Sequence, residues 1–185
     1  ARIAIVMAHT PDTSLDKHHQ HSMVLVPLDA PGVSIVRMQS VFGSFDAPHG
    51  HGELSLTDVR VPVANFIRGP GAGFEIAQGR LGPGRIHHCM RCIGAAEEAL
   101  ALAVKRASSR NAFGKRLIDL GGNRERIAEA RVAINQARLL TLHAAWMLDR
   151  VGAMAAMTEI AAIKVVAPRL LQQVVDMAMQ MHGGV

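Results

Sequence analysis

Residues 53–74 read ELSLTDVRVPVANFIRGPGAGF. At one end, Glu53-Leu54-Ser55-Leu56-Thr57 alternates with period two, the pattern of a half-buried strand. At the other, Gly69-Pro70-Gly71-Ala72-Gly73 gathers the two strongest breakers of regular structure. Beyond that break the apolar period lengthens to three and four. The charge changes at the same place. Residues 1–68 hold five Lys/Arg and six Asp/Glu, net −1, whereas 69–185 hold fifteen and nine, net +6. Six of the ten histidines fall in the first part. The division predicted is therefore 1–68 and 69–185.

Working back from the break, Ile3–Ala8 and Met23–Pro27 are short apolar runs, and Val33–Arg37 is β-branched. Turn chemistry separates them at Thr10-Pro11-Asp12, Asp29-Ala30-Pro31-Gly32 and Ala47-Pro48-His49-Gly50. Four or five such strands suit part of an antiparallel sheet. Working forward, Ile86, Met90, Ile93, Leu100 and Val104 mark one helical face. Ile127, Ile134, Leu139, Leu142 and Trp146 mark a second. A third runs from Met157 to Met181 and is apolar around much of its circumference, so burial on several sides is expected, in a bundle or at a subunit contact. Pro83 is expected to break or kink the first helix. Gly183 and Gly184 are expected to stop the last. The fold class is α+β: a partial antiparallel β domain, then an antiparallel helical domain of the four-helix-bundle type.

Composition narrows the function. With 185 residues, 49% hydrophobic and a mean hydropathy of +0.18, the chain can build a core and is not disordered. No run nears the roughly 18 to 20 apolar residues of a membrane span. Ala1–Met7 lacks the features of a signal peptide, and the missing initiator Met marks the chain as an expected piece of something longer. Cys89 and Cys92 stand three apart on a helix, a spacing poorly suited to a disulfide, which makes a reducing compartment the default. A net charge of +5 and a pI near 10.0 raise the question of nucleic acid. Five Phe, one Trp and no Tyr offer few platforms for stacking bases, and an anionic small ligand fits the charge equally well.

Candidate sites have competing readings. His18-His19-Gln20-His21, His49-Gly50-His51 and His87-His88-Cys89 with Cys92 hold good zinc ligands. They lack paired spacings for four converging ligands, so polar loop and helix residues are expected and no metal. In Arg110-Asn111-Ala112-Phe113-Gly114-Lys115 the Arg fork suits phosphate and the Phe can cover a flat ring. By residue type alone a helix-terminal Arg beside a core-filling Phe113 is favoured. Gln180-Met181-His182-Gly183-Gly184 allows close approach of backbone to a ligand, or simply ends a helix. Neither G-x-G-x-x-G nor a P-loop is present.

In order along the chain, Leu56-Thr57-Asp58-Val59-Arg60-Val61-Pro62, Gly71 to Phe74, Arg110-x-x-Phe113-Gly114 and Gln180-x-x-Gly183-Gly184 resemble four motifs of the acyl-CoA dehydrogenase family. Asp46–His51 and Gly79–Arg91 look most like the subgroup of family members 10 and 11. The resemblance implies the later part of a middle β domain followed by most of a C-terminal four-helix bundle. It implies FAD-dependent α,β-dehydrogenation of an acyl-CoA in fatty acid oxidation: a carboxylate takes the α proton, the β hydride goes to flavin N5, and electrons pass to an electron-transfer flavoprotein. The base is expected downstream of Val185, which would leave this piece inactive alone.

By the same resemblance, Arg110 pairs with the FAD pyrophosphate and Phe113 lies at its adenosine side. Gln180, Gly183 and Gly184 close on the FAD of a neighbouring subunit in a homodimer or homotetramer, and Arg85 lines the acyl-CoA pocket. The chain departs from the pattern at two places. Gly82 stands where many members carry an acid three positions before that Arg, and Leu120 or Gly121 stands where a flavin-binding Gln is common. The location implied is cytoplasmic in a bacterium or the mitochondrial matrix. Alternatives are an acyl-CoA oxidase or flavin monooxygenase of the same architecture, or a helical interaction module without catalysis.

Overall fold

A computed structural model describes residues 1–10 and 16–184. Contacts divide the chain into two compact units, 1–78 and 79–185.

In the first unit, β1 (Ile3–His9) pairs antiparallel with β2 (His21–Pro27), from Ile3 opposite Pro27 to His9 opposite His21. The turn residues Pro11 and Asp12 lie outside the described residues. β2 shows the alternation a half-buried strand requires: Ser22, Val24 and Val26 point inward and are buried. The Ser22 hydroxyl is satisfied by Thr10 Oγ1 at 3.3 Å and by the backbone N–H of Gly71 at 2.9 Å. β3 (Val33–Gln39) pairs with β4 (His51–Leu56), with an irregularity between Ile35 and Arg37. The four strands form two separate two-stranded ladders, not the single sheet expected. Ile3, Ile5, Ile35 and Val36 stay exposed on them.

The second unit is built on α1 (Gly73–Ser109), α2 (Asn123–Ala155) and α3 (Met157–His182). Pro83 does not break α1. A proline forgoes one hydrogen bond and crowds the carbonyl four residues back. Here that residue is Gly79, and Gly82 and Gly84 also flank the proline, so the backbone has room to yield. α2 and α3 are separated near Gly152, which takes φ 81° and ψ 168° inside the helical run.

The helical core is layered. Cys89 meets Ala144, Ile163 and Ala167. Next, Ile93, Ala96 and Leu100 meet Ala130, Ile134, Ala137, Leu170 and Val174. Then Ala103 and Ala107 meet Ala178 and Met181, with Leu117 and Ile127 packed on them. Residue numbers rise together in α1 and α3 and fall in α2, so the three helices run up, down and up. α3 buries one face, with Ile160 and Ile163 at 1% exposure, whereas Val165, Val166 and Met179 remain exposed. The expectation of burial on several sides is not met within this one chain. Six alanines in the second and third layers let the helices approach closely, and the third layer thereby brings the C-terminal ends of α1 and α3 beside the start of α2.

Candidate functional site: an arginine-lined concavity

The chain leaves α1 at Arg110, whose backbone N–H still bonds the Arg106 carbonyl at 3.0 Å. It then forms a tight hairpin: β5 (Asn111–Ala112) pairs with β6 (Lys115–Arg116) around Phe113 and Gly114. A two-residue hairpin loop of this hand needs positive φ at both central residues. Gly114, at φ 75°, adopts it freely, whereas Phe113, at φ 53°, does so at a cost of about 1–2 kcal/mol. The Leu117 N–H returns to the Arg110 carbonyl at 2.9 Å, and Asn123 Nδ2 donates to the Leu117 carbonyl at 2.7 Å, which ties the loop to the first turn of α2. Leu117 itself packs in the third core layer.

At the far end of the chain, Gly183 takes φ 77° and closes α3 with its N–H on the Met179 carbonyl at 3.1 Å. Arg106 Nη2 donates to the next exposed carbonyl, that of His182, at 3.2 Å. This is a favourable place for a cation, at the negative end of a helix.

These pieces enclose a concavity of about 280 Å³ whose wall includes Arg106, Arg110, Asn123 and Arg126 on one side and Gln180, His182, Gly183 and Gly184 on the other. The structure therefore brings together four of the residues selected from sequence: Arg110, Gln180, Gly183 and Gly184. Phe113 is not in its wall. It is 96% exposed at the hairpin tip beside Arg110, so the reading of Phe113 as a core filler is overturned. The reason is the hairpin itself, which turns the side chain outward. Arg85 is half-buried on α1, about 31 Å along the helix from Arg106, and does not line the concavity. Arg106, Arg126, Asn123 and His182 were not singled out from sequence. The i, i+4 pair Arg106/Arg110 on one helix face was the available signal.

The lining carries three guanidiniums and no carboxylate. Elsewhere in this unit four arginines are paired, whereas Arg80, Arg85, Arg91, Arg150 and Arg169 make no ion pair among the described residues. Arg131 meets Glu97 at 2.8 Å and Arg138 bonds the same carboxylate, and those two partners hold the Glu97 carboxyl below its usual range, Arg138 first. Arg116 meets Asp119 at 2.9 Å, and Arg124 bonds its other oxygen; Arg116 and then Arg124 lower the Asp119 carboxyl likewise. Among the described residues, neither Arg110 nor Arg126 makes an ion pair. Arg106 Nε is shielded from solvent with no hydrogen-bond partner. Such an all-donor set suits phosphoryl oxygens and repels metal ions. No group of three or more metal-ligating side chains converges among the described residues. Cys89 and Cys92 are free thiols, and burial pushes the Cys89 thiol up.

A second, larger hollow of about 660 Å³ lies between α2 and α3, lined by Leu170, Val174 and Met177 but also by Glu129 and Asp176. It shares Arg126 and Gln180 with the first and differs from it in its two acids. At Gly82, a Cβ atom would sit 3.4 Å from the Ala153 Cβ and 3.9 Å from Ile160 Cδ1, ordinary van der Waals contact.

Comparison with known proteins gives a single answer. A family model described as acyl-CoA dehydrogenase, C-terminal domain, matches residues 71–185. Human acyl-CoA dehydrogenase family member 11 is 54% identical over 99% of this chain, which spans 24% of that protein. Mouse acyl-CoA dehydrogenase family member 10 is 52% identical over 98% of this chain, which spans 17% of it. A solved structure from Mycobacterium abscessus that bears the acyl-CoA dehydrogenase name superposes with a TM-score of 0.91 at 57% identity, covering 99% of this chain and 45% of that one. The chain thus spans about a quarter or less of the two curated relatives and under half of the solved one.

Proposed function

The chain belongs to the acyl-CoA dehydrogenase family, and from that premise we propose that its parent protein dehydrogenates an acyl-CoA with FAD. The concavity would hold the FAD pyrophosphate. The observation that carries this is the convergence of Arg110 with the Gln180–Gly184 segment on a carboxylate-free, guanidinium-lined hollow. Bound flavin would supply the hydride acceptor.

The chain's own residues do three things in this reading. Arg110 offers a planar fork to phosphoryl oxygens. Gly183 and Gly184 keep the wall opposite low, because no side chain stands between backbone and ligand. Phe113, held outward at positive φ, offers an exposed ring face beside Arg110 to the adenosine end. Backbone strain at an exposed aromatic is what a binding role would maintain. Arg85 would contact the acyl-CoA. Its distance from Arg106 along one straight element, about 31 Å, is the breadth of a small domain. One chain therefore contributes to two separate centres, and a neighbouring subunit completes each. The domain division at 68/69, an electron-transfer flavoprotein as electron acceptor, and a base supplied from sequence beyond Val185 belong to the same proposal. A carboxylate is needed because the α proton is weakly acidic.

The test is the full-length parent protein, purified and examined for a flavin spectrum that bleaches on addition of acyl-CoA. Bleaching followed by reoxidation through an electron-transfer flavoprotein is expected. A colourless protein with no affinity for FAD contradicts the proposal, and rapid reoxidation by oxygen reassigns it to an oxidase or monooxygenase.

A further inference from the structure

We propose that Arg106 and Arg126 work with Arg110 as one three-guanidinium site for two adjacent phosphoryl groups, and that Arg106 is the positioning residue that links this site to the Gly183–Gly184 segment. The identity of the ligand rests on the flavin reading above; the site itself rests on placement and charge.

Three features carry a cost, and an anion among them relieves the two that are electrostatic. Arg106 stands in the last turn of α1 and Arg110 just past its end, one turn away, a spacing at which like charges repel. Arg126 lies in the first turn of α2, at the positive end of the helix dipole, where a cation is disfavoured. Arg124 shares that turn, but Asp119 neutralises it. Arg126 has no such carboxylate among the described residues. Finally, Arg106 Nε is shielded and unpartnered, while Nη2 of the same guanidinium is fixed on the His182 carbonyl at 3.2 Å. An unmade hydrogen bond on a shielded charged group is expensive. Phosphoryl groups within the concavity would cancel both repulsions and take the Arg106 donors that line it.

The fixed end of Arg106 has a consequence. Because it grips the carbonyl that precedes Gly183, the anion and the end of α3 share one side chain. Arg110 and Arg126 can supply charge, but only Arg106 connects charge to the position of the glycines.

The experiment measures FAD dissociation from the full-length parent protein by the rise in flavin fluorescence on dilution, at low and high salt. Arg126→Gln should weaken FAD affinity about tenfold or more, the effect of losing a hydrogen bond to a charged group, and should flatten the salt dependence. Arg124→Gln is the control, expected to change affinity less than about twofold because its charge is spent on Asp119. Arg106→Lys keeps the charge and so should keep the salt dependence, yet release FAD faster because the fork to His182 is lost. Thermal melting of each variant verifies the fold.

If Arg110→Gln weakens FAD binding and Arg126→Gln behaves like Arg124→Gln, the three-guanidinium site is overturned and the flavin reading stands. If the parent protein binds no FAD, or Arg110→Gln has no effect, the flavin reading fails. ADP titrated by calorimetry then decides the site: binding that depends on Arg126 supports it, and no binding overturns it.

Discussion

Two groups of arginines in the helical unit are treated in opposite ways. Midway along the bundle, Arg131 and Arg138 converge on Glu97. At its end, Arg106, Arg110 and Arg126 share a concavity that no described carboxylate lines, although Arg126 also borders the hollow that holds Glu129 and Asp176. The residue type is the same, and so are two of the helices. The difference is that the first group spends its charge on holding α1 to α2, whereas the second leaves it available. An exposed charge cluster without counter-charge does not help folding. What sets the three apart from the other unpaired arginines of the bundle is that they share one concavity, where in our proposal a ligand would supply the missing charge.

The comparison can be broken most severely through the core that positions both groups. Ile134, with 0% exposure, lies in the middle layer. Ile134→Ala should cost about 2–5 kcal/mol of stability and disturb both groups, measured by chemical denaturation of the parent protein. A loss under 1 kcal/mol would mean that this layer does not hold the bundle.

Glu97→Gln separates the two groups. Stability should fall by about 1 kcal/mol or less, with FAD affinity unchanged. Its pH dependence has a definite sign. The two arginines depress the Glu97 carboxyl below its usual 4.5, so its contribution is complete above that value and is lost as pH falls below it, through the depressed native value. The variant should lack this part of the acid loss. Equal acid sensitivity in both proteins would show that the cluster contributes nothing.

The smallest effect is expected at the hairpin tip. Phe113→Asn suits φ 53° better and should raise stability by about 0.5–1 kcal/mol, while weakening FAD retention. A variant that is stabilised and retains FAD fully would remove Phe113 from the binding role and leave the arginines as they are.

Much of the helical unit was legible in the sequence because helical periodicity repeats over many residues. The Ile93–Leu100 face and the glycine stop at residue 183 are found where the pattern puts them. Of the second face only Ile127 and Ile134 pack on the core, whereas Leu139, Leu142 and Trp146 are exposed and the small residues Ala137, Thr141 and Ala144 are buried instead. Features that depend on one residue's surroundings were not legible. Pro83 is tolerated because glycines flank it, and Phe113 points outward because a two-residue hairpin demands it. The strands were placed correctly, but their pairing into two ladders depends on contacts that alternation does not encode. Within the candidate site, motif order located Arg110, Gln180, Gly183 and Gly184. Arg106 and Arg126 escaped notice because an arginine on a helix surface is ordinary until its counter-charge is sought and not found.

The most direct test is a crystal structure of the full-length protein with FAD bound. The pyrophosphate should lie in the concavity between Arg110 and Gly184, with the flavin ring reaching into the neighbouring subunit. Arg110 and both glycines facing bulk solvent, remote from the dinucleotide, would contradict the account.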